Sequence, residues 1–125
     1  MNILVDSSVW IDYFRNGDNS PDLDFLIDEN QIVLNDMILA ELIPFLKVKR
    51  ETRLINLLNA VKKVEINIDW QGIIDLQTKC LKNGINVVGI PDLIIVQNVI
   101  RMKLKIYTLD KHFKLISEHI PLKLY

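Results

Sequence analysis

The 125-residue sequence has a single cysteine, four glycines, four prolines and no apolar run approaching membrane-spanning length. The lone thiol, Cys80, forms no internal disulfide, so the composition fits a reducing cytoplasm rather than an oxidised scaffold. So few glycines and prolines leave little material for a linker. With no repeat or low-complexity tract, one domain over residues 1–125 is expected. No stretch reaches the roughly 18 uninterrupted apolar residues that a bilayer span needs, so no membrane association is expected. The opening MNILVDSSVW has no basic leader and meets Asp6 before an apolar segment develops, so a secretory leader is not expected. An excess of one charge is also missing. Fifteen Lys and Arg against sixteen Asp and Glu leave a formal net charge of −1, which excludes a simple polycationic coat for nucleic acid. Zinc ligand sets, HEXXH and glycine-rich nucleotide loops are absent, so no nucleotide cofactor is expected. What is present is a half-hydrophobic chain. At this length it can remove roughly two-thirds of its unfolded surface from water and build a core without metal or disulfide staples.

Short β-rich runs alternate with amphipathic helical stretches. Residues 2–5 (NILV) read as a strand that stops at Asp6-Ser7-Ser8, each a good N-cap, before a helix over 9–14. Ser20-Pro21 opens a second helix with an apolar stripe of Leu23, Leu26 and Ile27. Residues 31–34 read as a second strand. Asn35-Asp36 caps a helix from Met37 that Pro44, lacking an amide hydrogen, should end or kink by about Ile43. Leu54, Leu57, Leu58 and Val61 stand at helical spacing, and residues 64–68 read as a third strand. Asp69 caps a helix bearing Trp70, Ile73, Ile74 and Leu81, and Gly84 sits where a left-handed residue would end it. Pro91-Asp92 begins a helix apolar on most sides, expected near the centre of the molecule. Residues 105–109 read as a fourth strand, 111–119 as a short helix and 121–125 as an edge strand. Strands separated by helices imply parallel pairing with right-handed crossovers, hence an α/β sandwich. In such sheets ligands bind beyond the carboxyl ends of the strands.

Certain acids fall where core is expected. Asp6 is the only charge within 1–11, Glu41 the only one within 37–46 and Asp92 the only one within 84–100, while Asp110 ends the fourth strand. A carboxylate in an apolar setting is costly unless matched or neutralised. The topology turns all four toward one rim of the sheet. At an effective dielectric near 20, two charges about 6 Å apart repel by roughly 3 kcal/mol. Summed over four acids, such repulsion approaches the roughly 5 to 15 kcal/mol of net stability a domain has. A divalent cation among them removes the conflict, and all-oxygen ligation selects Mg2+ or Mn2+ over zinc. Asp6, Asp92 and Asp110 each have an ordinary explanation as acids at helix starts. Glu41 has none from capping, and the case rests on the four together.

Four short motifs stand in order: VDSSVWIDYF around Asp6, ILAEL around Glu41, GIPDLIIVQNVI around Asp92 and IYTLDKHF around Asp110. In this order and spacing they make nearly the whole chain resemble the PIN-domain ribonucleases, and among them the VapC-type toxins of toxin-antitoxin pairs. The resemblance implies a PIN-like three-layer α/β sandwich with a central parallel sheet of four or five strands. It implies that Asp6, Glu41, Asp92 and Asp110 form an acidic pocket holding Mg2+ or Mn2+, and that Ser8 and Thr108 brace it. The chain departs from the family pattern twice. His112 stands where many relatives have a further acid, which bears on a second metal position, and Ile43-Pro44 stands where many have glycine. A neutral imidazole at His112 can ligate manganese or contact phosphate; taken alone, it reads as a partly exposed helix residue.

The chemistry expected from this pocket is metal-assisted hydrolysis of an RNA phosphodiester, with water as the nucleophile and either Glu41 or Asp110 as proton acceptor. Arg15, Lys47, Lys49, Arg50 and Arg53 are the cations expected to flank the cleft and track phosphates, unless they only solvate helix ends. Trp10, Tyr13 and Phe14 share a helix face and are read as core or dimer packing rather than base stacking. The resemblance further implies a homodimer and a tight antitoxin partner blocking the cleft, with the apolar helices near the N-terminus and before Val64 as candidate interfaces. The alternatives are a catalytically inactive PIN-like RNA-binding module and a phosphorylatable receiver domain. The receiver needs paired acids after the first strand, where this chain has Ser7-Ser8.

Overall fold

The structure, a computed structural model, describes residues 2–125. In chain order the elements are β1 (Ile3–Val5), α1 (Ser7–Phe14), α2 (Leu23–Asp28), β2 (Ile32–Val33), α3 (Asp36–Val48), α4 (Thr52–Ala60), α5 (Trp70–Lys82), α6 (Ile90–Arg101), β3 (Lys105–Tyr107) and α7 (Lys111–Ser117). The sheet is parallel throughout, in the order β2-β1-β3, with Ile3 opposite both Ile32 and Lys105. β1 is buried along its whole length, as a central parallel strand covered on both faces should be. No helix among the described residues is long and apolar enough to cross a membrane.

Among the described residues the expected four or five strands become three strands and two single-residue bridges. Lys63 pairs in parallel with Leu34, and Leu124 with Ile106, extending the sheet by one residue at each edge. The segment 64–68 does not become a strand, because the side chains of α6 take the backbone groups a ladder would use. Asn98 Nδ2 donates to the Glu65 carbonyl at 2.9 Å and Arg101 donates to the Asn67 carbonyl at 3.1 Å. The Gln97 amide both accepts from the Asp69 N–H, at 3.1 Å, and donates to the Asp69 carbonyl, at 2.9 Å. These bonds need α5 and α6 close together. A Cβ on Gly72 would lie 2.6 Å from Gln97 Nε2, so a larger residue there would push the Gln97 amide out of its bonds to Asp69.

α3 continues through Pro44 to Val48 instead of ending at Ile43. A proline inside a helix costs about 3 kcal/mol. Continuing the helix keeps Leu42 and Leu46 on one buried face, and each such burial contributes about 1.5 to 3 kcal/mol. The helix starts as Asn35 predicts, its Oδ1 accepting the Ile38 N–H at 2.9 Å. Gly84 takes the expected left-handed conformation, φ 75°. α6 is the central helix, with every residue from Leu93 to Val99 buried.

Candidate functional site

Asp6 leaves the carboxyl end of the central strand and is 4% exposed. Its side chain makes no capping bond to α1. Instead Oδ2 accepts two hydroxyls, Ser8 Oγ at 2.7 Å and Thr108 Oγ1 at 3.0 Å. Each hydroxyl is itself held by a backbone N–H from the exit of β3. Leu109 donates to Ser8 Oγ and Asp110 donates to Thr108 Oγ1, both at 3.0 Å. The register of β1 against β3 brings these groups together, with the Asp6 N–H bonded to the Tyr107 carbonyl at 2.9 Å. Among the described residues no basic side chain lies within ion-pairing distance of Asp6, Glu41 or Asp92.

Partial desolvation raises the Glu41 carboxyl above the usual carboxylate range, and the charges of Asp6 and Asp92 raise it further, with the nearby Ser7 side chain opposing them. Burial also raises Asp92. The Gly89 backbone N–H and His112 oppose that shift, while the charges of Asp110 and Asp6 add to it. Asp92 stands three residues into the first turn of α6, where an acid reaching back to the cap N–H forms half of a capping box. Asp110 does cap its helix: Oδ1 accepts the His112 N–H at 2.9 Å and also lies 2.9 Å from His112 Nδ1.

The four acids therefore share one electrostatic neighbourhood. Among the described residues, however, no three His, Cys, Asp or Glu side chains converge closely enough to hold a metal ion. Nor are all of them in apolar surroundings, as the sequence suggested: only Asp6 is buried, and Glu41 lies exposed on α3 because this side of the helix opens onto a cavity. The donor set nonetheless fits a hard divalent cation. It is all oxygen, three of its members lack a cationic partner, and two hold their protons more tightly partly because of neighbouring carboxylates, a conflict that positive charge relieves.

Beside Glu41 lies a cavity of about 510 Å³, bounded by α1, α3 and the start of α4. Arg15 and Lys49 line it; Lys47, Arg50 and Arg53 do not. Of the N-terminal aromatics, Trp10 is fully buried, packed against Tyr13 and Phe14. The Tyr13 hydroxyl donates to Asp24 at 2.5 Å, and that bond is the main cause of its pKa being pushed up to about 12. Phe45, which sequence reasoning passed over, lines the cavity and is 55% exposed. Its only sequence signal is that it stands one helical turn beyond Glu41.

No curated protein matches the chain. The fold is similar to VapBC2 from Rickettsia felis bound to a DNA fragment from their promoter, with a TM-score of 0.78 and 18% identity, covering 100% of this chain and 98% of that one. It is also similar to DNA-bound VapBC from Salmonella typhimurium, with a TM-score of 0.76 and 14% identity over 100% and 97% of the two chains. FitAcB from Neisseria gonorrhoeae follows at a TM-score of 0.72 and 17% identity, over 98% and 96%. The family model for the PIN domain matches residues 3–118, and the chain belongs to the PIN-domain family.

Proposed function

We propose that this protein is a divalent-metal-dependent endoribonuclease acting as the toxin of a toxin-antitoxin pair. The observation that carries the reading is Asp6: a buried carboxylate without a cation, oriented by Ser8 and Thr108, in the field of Glu41, Asp92 and Asp110. PIN domains are generally nucleases, and a toxin-antitoxin complex from Klebsiella pneumoniae has a similar fold, with a TM-score of 0.63 and 18% identity over 88% of each chain.

Asp6, Glu41, Asp92 and Asp110 would hold Mg2+ or Mn2+. Such an ion, when bound, supplies an acidified water and neutralises phosphate oxygens. Ser8 and Thr108 fix the Asp6 carboxylate so that little reorganisation is needed on binding. Glu41 is the better placed proton acceptor: its proton affinity is raised and its side chain is exposed, whereas Asp110 is engaged by the His112 backbone and ring. With its Nδ1–H on Asp110, His112 keeps the Nε2 lone pair free to ligate manganese. Arg15 and Lys49 contact RNA phosphates from the cavity rim, with Lys47 and Arg50 adding to the positive field beyond it. An antitoxin silences the enzyme by covering this cleft. In the cytoplasm the chain pairs with a second copy of itself.

Cleavage of total RNA tests the reading. Mn2+ should support cutting and a chelator should stop it, while calorimetry detects Mn2+ uptake. Asp92→Asn should lose about 100-fold or more of the rate, since even residues one layer removed from a metal cost 10- to 100-fold. A fully active Asp92→Asn protein, or no metal uptake, overturns the proposal. RNA binding without cleavage in Mn2+ favours an inactive RNA-binding module instead.

A further inference from the structure

We propose that the cavity between α1, α3 and α4 is a nucleobase subsite. In it one base of single-stranded RNA lies against Phe45, and Arg15 and Lys49 hold the adjoining phosphates. This rests on the nuclease reading of the neighbouring acids and names where the strand beside the cut is gripped.

Three observations lead there. First, Glu41 and Phe45 on α3 and Lys49 at its C-cap are spaced four residues apart and all line the cavity, so one face of the helix and its cap carries a carboxylate of the acidic neighbourhood, an aromatic ring and a cation in sequence. An occupant of the cavity is therefore adjacent to Glu41. Second, Phe45 is 55% exposed on a helix whose Ile38, Leu39, Leu42 and Leu46 are all buried. A large ring left out in a cleft, with Lys49 Nζ 5.7 Å from its centroid, is the arrangement that single-strand binders use to stack a base beside a phosphate-holding cation. Third, neither Arg15 nor Lys49 has a carboxylate within ion-pairing distance among the described residues. The other charges in the lining, Glu41 and Glu51, disfavour phosphate inside the cavity, while Ile11, Phe14 and Leu54 suit the flat apolar face of a base. At about 510 Å³ the cavity falls within the roughly 300–1,000 Å³ typical of ligand pockets.

The test is the affinity of a fluorescein-labelled single-stranded octaribonucleotide, read by anisotropy on the Asp92→Asn protein with Mn2+ present so that the RNA stays whole. Phe45→Ala should weaken binding about 5- to 150-fold, the range expected when a stacking ring is lost, and Phe45→Trp should keep it. Lys49→Ala should reduce the slope of log affinity against log salt by about 0.7, the value of one single-strand phosphate contact. An abasic nucleotide scanned along the octamer should weaken the parent at one position and leave Phe45→Ala unaffected there, because both changes remove the same contact. Equal affinity of Phe45→Ala and its parent, or indifference to every abasic position, overturns the subsite and turns the cavity over to a protein segment. RNA binding that depends on Phe45, together with no cutting by the unsubstituted protein in Mn2+, overturns the nuclease reading and leaves the subsite standing.

Discussion

Glu41 sits where three carboxylates feel one another, and its raised pKa has a calculable effect on the metal-free protein. A carboxyl whose folded-state pKa is raised contributes stability that is complete below its unfolded value of about 4.3 and is lost as pH climbs through the folded value. Asp92 is shifted in the same direction. Thermal melts in chelator should therefore show Glu41→Gln gaining on its parent as pH rises from about 4 toward neutrality. Because Glu41 is exposed, solvent screening limits the gain to a few tenths of a kcal/mol up to about 1 kcal/mol. A Glu41→Gln protein that melts lower than its parent at neutral pH contradicts the electrostatic picture. Asp6 and Asp92 could be picked out in the sequence because a solitary charge in an apolar run is conspicuous. The hydroxyl bond to Asp6 from Thr108 spans 102 residues and exists only through β1–β3 pairing, a relation that local spacing cannot display. Phe45 escaped notice for the opposite reason, since an aromatic residue in an apolar helix reads as core until its exposure is measured.

At the level of elements, α6 holds the fold together with side chains as well as with its backbone. Asn98 accepts from Asn35 Nδ2 at 2.9 Å and donates to the Glu65 carbonyl, joining the start of α3 to the loop beyond β2's edge partner. Asn98→Ala strands the buried Asn35 amide, at about 1–3 kcal/mol, and loses the part-buried bond to the Glu65 carbonyl, at about 0.5–1.5 kcal/mol, so urea unfolding should report a loss of about 2–4 kcal/mol with an unchanged slope. A loss below about 0.5 kcal/mol would mean the contact is dispensable. The helices were largely readable from their apolar spacing and caps, which are local properties. Two features were not. The run at 64–68 has a strand's composition, but its carbonyls are claimed by residues some thirty positions away. Pro44 carries a strong local stop signal, and the burial of Leu42 and Leu46 outweighs it.

Over the molecule as a whole, an apolar stripe remains in water. Trp70, Ile74 and Leu81, spaced by one and then two turns along α5, are 58%, 56% and 55% exposed, while Ile73 and Cys80 on the adjoining face of that helix are buried. This surface suits the proposed pairing of two chains better than the N-terminal helix, whose Trp10 is already covered. Light scattering should give about twice the chain mass of 14.5 kDa, and Ile74→Glu should return it to the single-chain value. A single-chain mass for the unsubstituted protein removes the dimer. The hydroxyl clamp on Asp6 also sets an order of events during synthesis. One of its jaws is made about a hundred residues after the other, so a ribosome that has built everything through α6 has still not made Thr108 or Asp110. Until those residues emerge, Asp6 lacks half of its support, so the acidic corner cannot be completed until the chain is nearly finished.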